Sequence, residues 1–177
     1  CKDYKDDLII PGLTDLHVHA PQYTFRASGM DLELLDWLNT YTFPQEARYE
    51  DPEFAKEAYS IFAEDMKKSP NTRACIFGTL HVPATEILME QLNKTGLKTM
   101  VGKVNMDRNG SAKLQEENAQ TSADATVRWI EDTLNRFENT NPILTPRFTP
   151  SCSDELMKKL SEIQKKYHLP MQSHLSE

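Results

Sequence analysis

Phe54, Ala58, Ile61, Phe62 and Met66 recur at helical spacing, so one helix buries all five along a single stripe. In front of the stripe stands Asp51-Pro52-Glu53, a start signal made of an N-capping aspartate, a proline in the first turn and an acid behind it. Ser69-Pro70-Asn71 ends that helix, and residues 73–80 then form a short apolar run bounded by turns, the pattern of a buried strand. Upstream, Leu8-Ile9-Ile10 reads as a short strand closed by the turn pair Pro11-Gly12. Leu13 to His19 reads as a second strand running into a loop that lasts to Gly29. Residues 31–38 predict a helical stretch ending near Phe43-Pro44.

Downstream the alternation repeats. Residues 83–92 predict a helix with Ile87, Leu88 and Leu92 inward, closed by residues 93–96. Residues 98–106 predict a strand, residues 107–120 a polar loop, and the next helix carries Ala123, Val127, Ile130, Leu134 and Phe137 on one face. Residues 142–146 predict a strand whose prolines sit at its ends, where they disturb pairing least. Ser151 or Ser153 caps a helix bearing Leu156, Leu160, Ile163 and Tyr167, and residues 168–174 predict the last strand. Strands separated by helices imply a parallel α/β sheet. Counted from the strand at Leu13 there are five, and His17, His19, His81, Arg147 and His174 fall at or just beyond their C-terminal ends. A (β/α)8 TIM-type barrel keeps its chemistry at that end and typically takes about 250 residues. A doubly wound open sheet is the alternative, but it usually carries a glycine-rich phosphate turn, and this chain of six glycines has none. The expectation is therefore a single barrel of which residues 1–177 form the N-terminal part, about the first five strand-helix units, with residues 1–10 ending a preceding small β segment.

Charge and cysteines narrow the setting. Twenty basic against 27 acidic residues give a net charge of −7, spread rather than blocked, which argues against a nucleic-acid partner. Three cysteines, Cys1, Cys75 and Cys152, have no metal or redox spacing. This points to a reducing, cytoplasmic setting, with Cys75 buried in its apolar run. No apolar run approaches the roughly 20 residues of a membrane span, and no signal-peptide pattern is visible. The chain opens on Cys1-Lys2-Asp3 without a methionine and reads as sequence entered in the middle of a domain.

Chemistry concentrates in two places. In Leu13-Thr14-Asp15-Leu16-His17-Val18-His19, strand alternation puts Asp15, His17 and His19 on one face. Two imidazoles so placed at a strand end can share one metal ion, and Asp15 could orient the first of them. In Gln172-Ser173-His174-Leu175-Ser176-Glu177, a strand-end histidine suits a third ligand and the carboxylate beyond it a general acid/base. Other residues are open at this level. Arg147 suits recognition or simply a surface position after Pro146, Phe148 and Trp37 suit core or pocket wall, His81 is a rim residue of unassigned duty, and His168 is structural.

The frame around the first motif, Pro11-Gly12-Leu13-x-Asp15 before and Ala20-Pro21-Gln22 after, resembles the first-strand metal motif of the amidohydrolase superfamily. Residues 31–38 followed by Tyr41-Thr42-Phe43-Pro44 extend the likeness to the guanine deaminases of that superfamily. So do Val101-Gly102-Lys103-Val104-Asn105-Met106-Asp107, Thr145-Pro146-Arg147-Phe148 and the segment ending in Glu177, in the same order and spacing. The resemblance implies a zinc-dependent hydrolysis of guanine to xanthine and ammonia, with iron as an alternative metal. It makes His17, His19 and His174 the ligands, Glu177 the proton carrier, and Gln22, Arg147, Phe148 and His174 the substrate contacts. The fourth ligand, an aspartate, and a further substrate-orienting histidine have no counterpart in these 177 residues. This polypeptide by itself is therefore expected to be inactive. A homodimer and a small-molecule purine substrate are implied, with no nucleic acid and no membrane. The alternatives are a related deaminase or chlorohydrolase of another nitrogen heterocycle, or an inactive truncated barrel.

Overall fold

The computed structural model describes residues 3–111 and 113–175. Its elements run β1 (Leu13–His19), α1 (Leu34–Trp37), α2 (Phe43–Glu46), α3 (Pro52–Lys68), β2 (Asn71–Phe77), α4 (Val82–Asn93), β3 (Lys98–Gly102), β4 (Val104–Asn105), α5 (Ala119–Thr133), β5 (Thr140–Pro142), β6 (Thr145–Pro146) and α6 (Asp154–Tyr167). All strand pairs are parallel. One sheet has the order β1-β2-β3-β5, β4 pairs with β6, and single bridges join Leu144 to Met171 and Phe148 to His174. Taken with their extensions, these are five strand positions paired in chain order, the wall of a (β/α)8-type sheet. α3 packs on α4, α4 on α5 and α5 on α6, so successive helices share one face of the sheet. The core lies between these layers. Tyr59, Phe62, Leu88, Leu92, Trp129, Ile130, Leu156 and Leu160 meet Ile76, Val101 and Leu144 there. On the opposite face Leu16 and Met100 are exposed and Cys75 is half-buried. The cysteine expected inside is thus a free thiol on the less covered side.

Local chemistry explains most boundaries. Asp51 accepts from the Glu53 amide at 2.9 Å and starts α3 as expected. Ser153, not Ser151, caps α6 through the Leu156 amide, while Ser151 turns its hydroxyl to the Phe148 carbonyl. His168 closes α6 with φ 53°, a left-handed cap and a structural duty. No helix among the described residues is long and apolar enough to cross a membrane.

Six elements depart from the sequence expectation. Leu8-Ile9-Ile10 is exposed and pairs with no strand among the described residues. The helix near residue 31 begins only at Leu34 and does not stop at Pro44. It widens into a π-helical turn over Leu38–Thr42 and continues through α2 and a 3-10 turn at Ala47–Glu50. Pro44 cannot donate to the carbonyl four residues back, and the wider turn absorbs that missing bond. α5 ends at Thr133 rather than running to Phe137, although Leu134 and Phe137 still pack on the core. The strands expected at 98–106 and 142–146 are each broken in the middle, and the one expected at 168–174 is reduced to the bridges at Met171 and His174.

The break after Gly102 has a packing cause. A Cβ there would lie 1.7 Å from Thr145 Oγ1, so the third and fourth strands approach this closely only at a glycine. The next residue, Lys103, is fully buried and ion-paired with Glu116. Glu116 also accepts from the Met106 amide and from Ser122 Oγ, which ties the loop before α5 to the C-terminal end of the third strand.

Candidate active site

β1 carries the first two histidines, but not by plain alternation. Its register on β2 shifts between Asp15 and Val18, three residues against the two from Ala74 to Ile76, a bulge that re-aims the side chains at the strand end. His17 and His19 nevertheless stay together, with ring centroids 5.1 Å apart. Asp15 spends its carboxylate on the His17 backbone amide at 3.0 Å, where the sequence suggested a bond to the ring. The bridge between Phe148 and His174 brings the third imidazole to the same rim, 4.8 Å from His17 and 5.0 Å from His19.

The three imidazoles present ligand atoms within 4.8 Å of one another. His19 and His174 face each other through Nε2 at 2.9 Å. Tetrahedral coordination at zinc–nitrogen distances near 2.0 to 2.1 Å separates two ligand nitrogens by roughly 3.3 Å, so this pair needs to part by only a few tenths of an ångström. His174 Nδ1 lies 2.6 Å from the Arg147 carbonyl oxygen, which can only accept. The Nδ1–H therefore donates, the tautomer is fixed, and Nε2 keeps its lone pair. Desolvation of its ring, then the Arg147 cation, His174 and His17, hold the His19 pKa well below the ordinary histidine value. An imidazole that stays neutral is the form that binds metal. The donor set fits a divalent cation.

Phe77, at the end of β2, forms the floor beneath all three rings. It is fully buried and stacks on His19 at 4.5 Å and 7° between planes, with His17 at 4.9 Å and His174 at 4.6 Å. The sequence reading placed it in a buried strand and gave it no part in the site.

Beside the histidines lies a cavity of about 280 Å³ lined by His17, His19, Gln22, Leu34, Trp37, Leu38, Arg147, Phe148 and His174. The structure thus brings His17, His19, Gln22, Arg147, Phe148 and His174 around one space. Phe148 and Trp37 are wall rather than core alone; Trp37 is anchored by Nε1 donating to the Ser28 carbonyl at 2.8 Å. Arg147 is no surface residue, being 4% exposed. Its NH1 donates to Glu46 Oε2 at 2.6 Å and its NH2 to Glu46 Oε1 at 3.4 Å, and Gln22 Nε2 donates to the same Oε1 at 3.0 Å. Glu46 was not anticipated. His81 does not line this cavity; it lies beyond the end of β2 at the N-cap of α4, where its carbonyl accepts from Thr85. Glu177 lies outside the described residues.

Residues 8–177 match the amidohydrolase family, and the chain belongs to it. Over 172 residues it is 42% identical to guanine deaminase of Rattus norvegicus and 40% identical to that of Homo sapiens, matches that take in 97% of this chain and 38% of each relative. A crystal structure of guanine deaminase from C. acetobutylicum with guanine bound in the active site superposes with a TM-score of 0.91 at 48% identity, over 95% of this chain and 40% of that one. Triazine hydrolase from Arthobacter aurescens shares the fold at a TM-score of 0.82 and 14% identity. The chain therefore spans about two-fifths of the length of these relatives, and its sheet is part of an amidohydrolase barrel.

Proposed function

We propose that this protein is a metal-dependent guanine deaminase, hydrolysing guanine to xanthine and ammonia. The observation that carries the reading is the shared cavity. Three convergent imidazoles and the Gln22, Arg147 and Phe148 side chains wall the same 280 Å³ space, in a chain 40–42% identical to mammalian guanine deaminases. Pockets for drug-sized ligands run about 300 to 1,000 Å³, so this one suits a single small heterocycle.

His17, His19 and His174 would hold the cation, zinc by family likeness. When bound, it supplies a nucleophilic hydroxide at neutral pH, since a divalent ion lowers the pKa of water from about 16 toward 7. Arg147 presents guanidinium N–H donors toward the O6 carbonyl of the base. Gln22 offers an amide beside His19, and Phe148 sets the plane of the ring. With the base so placed, C2 faces the histidine cluster, a C–O bond forms there and the C–N bond to the exocyclic amine breaks. Glu177 takes one proton of the attacking water and delivers it to ring N3; the second, from the hydroxyl then on C2, passes to the exocyclic amine, which leaves as ammonia as the C2 carbonyl forms.

The test is ammonia release from guanine by the complete protein, before and after treatment with 1,10-phenanthroline. Guanine turnover that disappears with the metal and returns with added zinc is expected. Turnover that persists in metal-free protein, or a protein that spares guanine and consumes another heterocycle, would overturn the reading.

A further inference from the structure

Glu46, the last residue of α2 in the helical run beside the cavity, is 2% exposed and stands four residues after Thr42. Burying a carboxylate is costly unless its oxygens are taken up, and here they are taken up by two residues of the substrate cavity. Oε2 receives Arg147 NH1, and Oε1 receives both Arg147 NH2 and Gln22 Nε2. The Arg147 guanidinium also lies 5.2 Å from the Phe43 ring, so its roll is set from two sides.

The chemistry of a carboxylate makes this arrangement directional. An ionised carboxylate only accepts, so the amide of Gln22 must turn its NH2 end to Glu46, which leaves the carbonyl oxygen for another donor. Two of the five guanidinium N–H groups of Arg147 are engaged by Glu46, and among the described residues the other three meet no acceptor. One buried acid thereby sets the orientation of a donor and of an acceptor delivered by segments far apart in the chain.

We propose that Glu46 is the positioning residue for base recognition: by holding the Arg147 guanidinium and the Gln22 amide together, it makes the cavity select purines that carry a 6-oxo group. This rests on the guanine deaminase reading above and assigns the specificity of that same site. Glu46 acts through Arg147 and Gln22. Its loss should therefore misalign recognition without emptying the metal site, and a misplacement of about 1 Å costs on the order of 10²-fold.

The experiment uses the complete, metal-loaded protein with Glu46→Gln, Glu46→Asp, Arg147→Lys and the double variant Glu46→Gln/Arg147→Lys. Guanine kcat and KM are measured together with metal content and inhibition constants for hypoxanthine, which keeps the 6-oxo group and lacks the amine, and for purine, which lacks both. In Glu46→Gln the guanine kcat/KM should fall about 10²-fold, mainly through KM. Hypoxanthine inhibition should weaken at least about tenfold more than purine inhibition, with unchanged metal content. In the Arg147→Lys background the same change should cost much less, because the two residues act as one unit. Equal losses for hypoxanthine and purine, or full additivity with Arg147→Lys, would show Glu46 to be an ordinary structural residue. If Glu46→Gln does not fold, Glu46→Asp, one methylene too short to reach both partners, decides by the same inhibitor ratio; a ratio unchanged from wild type overturns the proposal. Wild type that leaves guanine untouched would sink the deaminase reading and this proposal with it, whereas guanine-active wild type with an unshifted ratio sinks this proposal alone.

Discussion

Replacing Phe77 with leucine isolates what the floor of the histidine cluster contributes. The ring is fully buried and lies 4.5 to 4.9 Å from all three imidazoles. Aromatic pairs at such distances are worth about 0.5 to 1.5 kcal/mol each beyond burial, so three of them represent at most a few kcal/mol of restraint on the cluster. Leucine keeps most of the apolar volume, and near-isosteric core swaps cost less than about 1.5 kcal/mol of stability, whereas alanine would cost about 3 to 5 kcal/mol and confuse the result with unfolding. The restraint lost to leucine should appear as weaker metal binding. Groups that orient metal ligands typically contribute 10- to 100-fold in affinity, or about 1.4 to 2.7 kcal/mol. The assay is competition for zinc between the complete protein and a chromophoric chelator, wild type against Phe77→Leu, with a thermal melt as control. A variant that melts near wild type and binds zinc 10- to 100-fold more weakly is expected. Wild-type zinc affinity in the folded variant would show that the histidines hold their positions without the ring and that Phe77 is core only.

Glu177→Gln in the complete protein should keep its metal and lose about 10²- to 10⁴-fold in rate, as expected for a proton carrier; metal loss in step with activity would make it a ligand instead. Arg147→Lys keeps the charge but loses the planar fork. The loss of one buried charge-assisted hydrogen bond, about 1.5 to 3 kcal/mol, should lower the guanine specificity constant about 10- to 150-fold, and an unchanged constant would remove Arg147 from recognition. Lys103→Met strands Glu116 in the core and should destabilise by about 3 to 5 kcal/mol, with much of the loss recovered in Lys103→Met/Glu116→Leu; equal melting of wild type and single variant would refute the pair. Burial lowers the His81 pKa from its ordinary 6.5, ahead of Glu50, which raises it, and Lys103, which lowers it further. The unfolded chain then binds more protons than the folded one, so stability falls as pH drops below about 6.5. His81→Asn should flatten that part of a stability-versus-pH curve, and an identical curve would exclude His81 as its source.

The fold was legible wherever one physical signal ruled a segment. Asp51-Pro52-Glu53 with the stripe from Phe54 to Met66 gave α3, and the apolar run around Ile76 gave β2, because capping and periodicity there agree with burial. Legibility failed where a tertiary constraint intervened. Pro44 should end a helix by local rules, yet the π-helical turn before it lets the backbone pass. Nothing in residues 98–106 announces that the strand breaks at Lys103, since the break is caused by Thr145 pressing on Gly102 from the neighbouring strand. Leu8-Ile9-Ile10 meets no strand among the described residues, and an apolar triplet forms a strand only when another lies beside it.

The candidate site divides along the same line. His17, His19 and His174 were visible because metal-binding chemistry demands particular residue types, and strand ends are where a barrel displays them. Glu46 was invisible as a functional residue because a glutamate in a helical segment is by default a solvated one. One trace of it was in the sequence: Glu46 continues the row Leu34, Leu38, Thr42 at four-residue steps, an acid where an apolar side chain was due. An acid on a buried stripe needs a cation, but the stripe does not say which. The partner, Arg147, lies on the fourth strand position and reaches Glu46 only after the sheet has been assembled. Residues whose function is to bind a metal can thus be read from local spacing. Those whose function is to aim another side chain show themselves only through the contact that the fold creates, so an acid breaking an apolar helical row is the place to look for them.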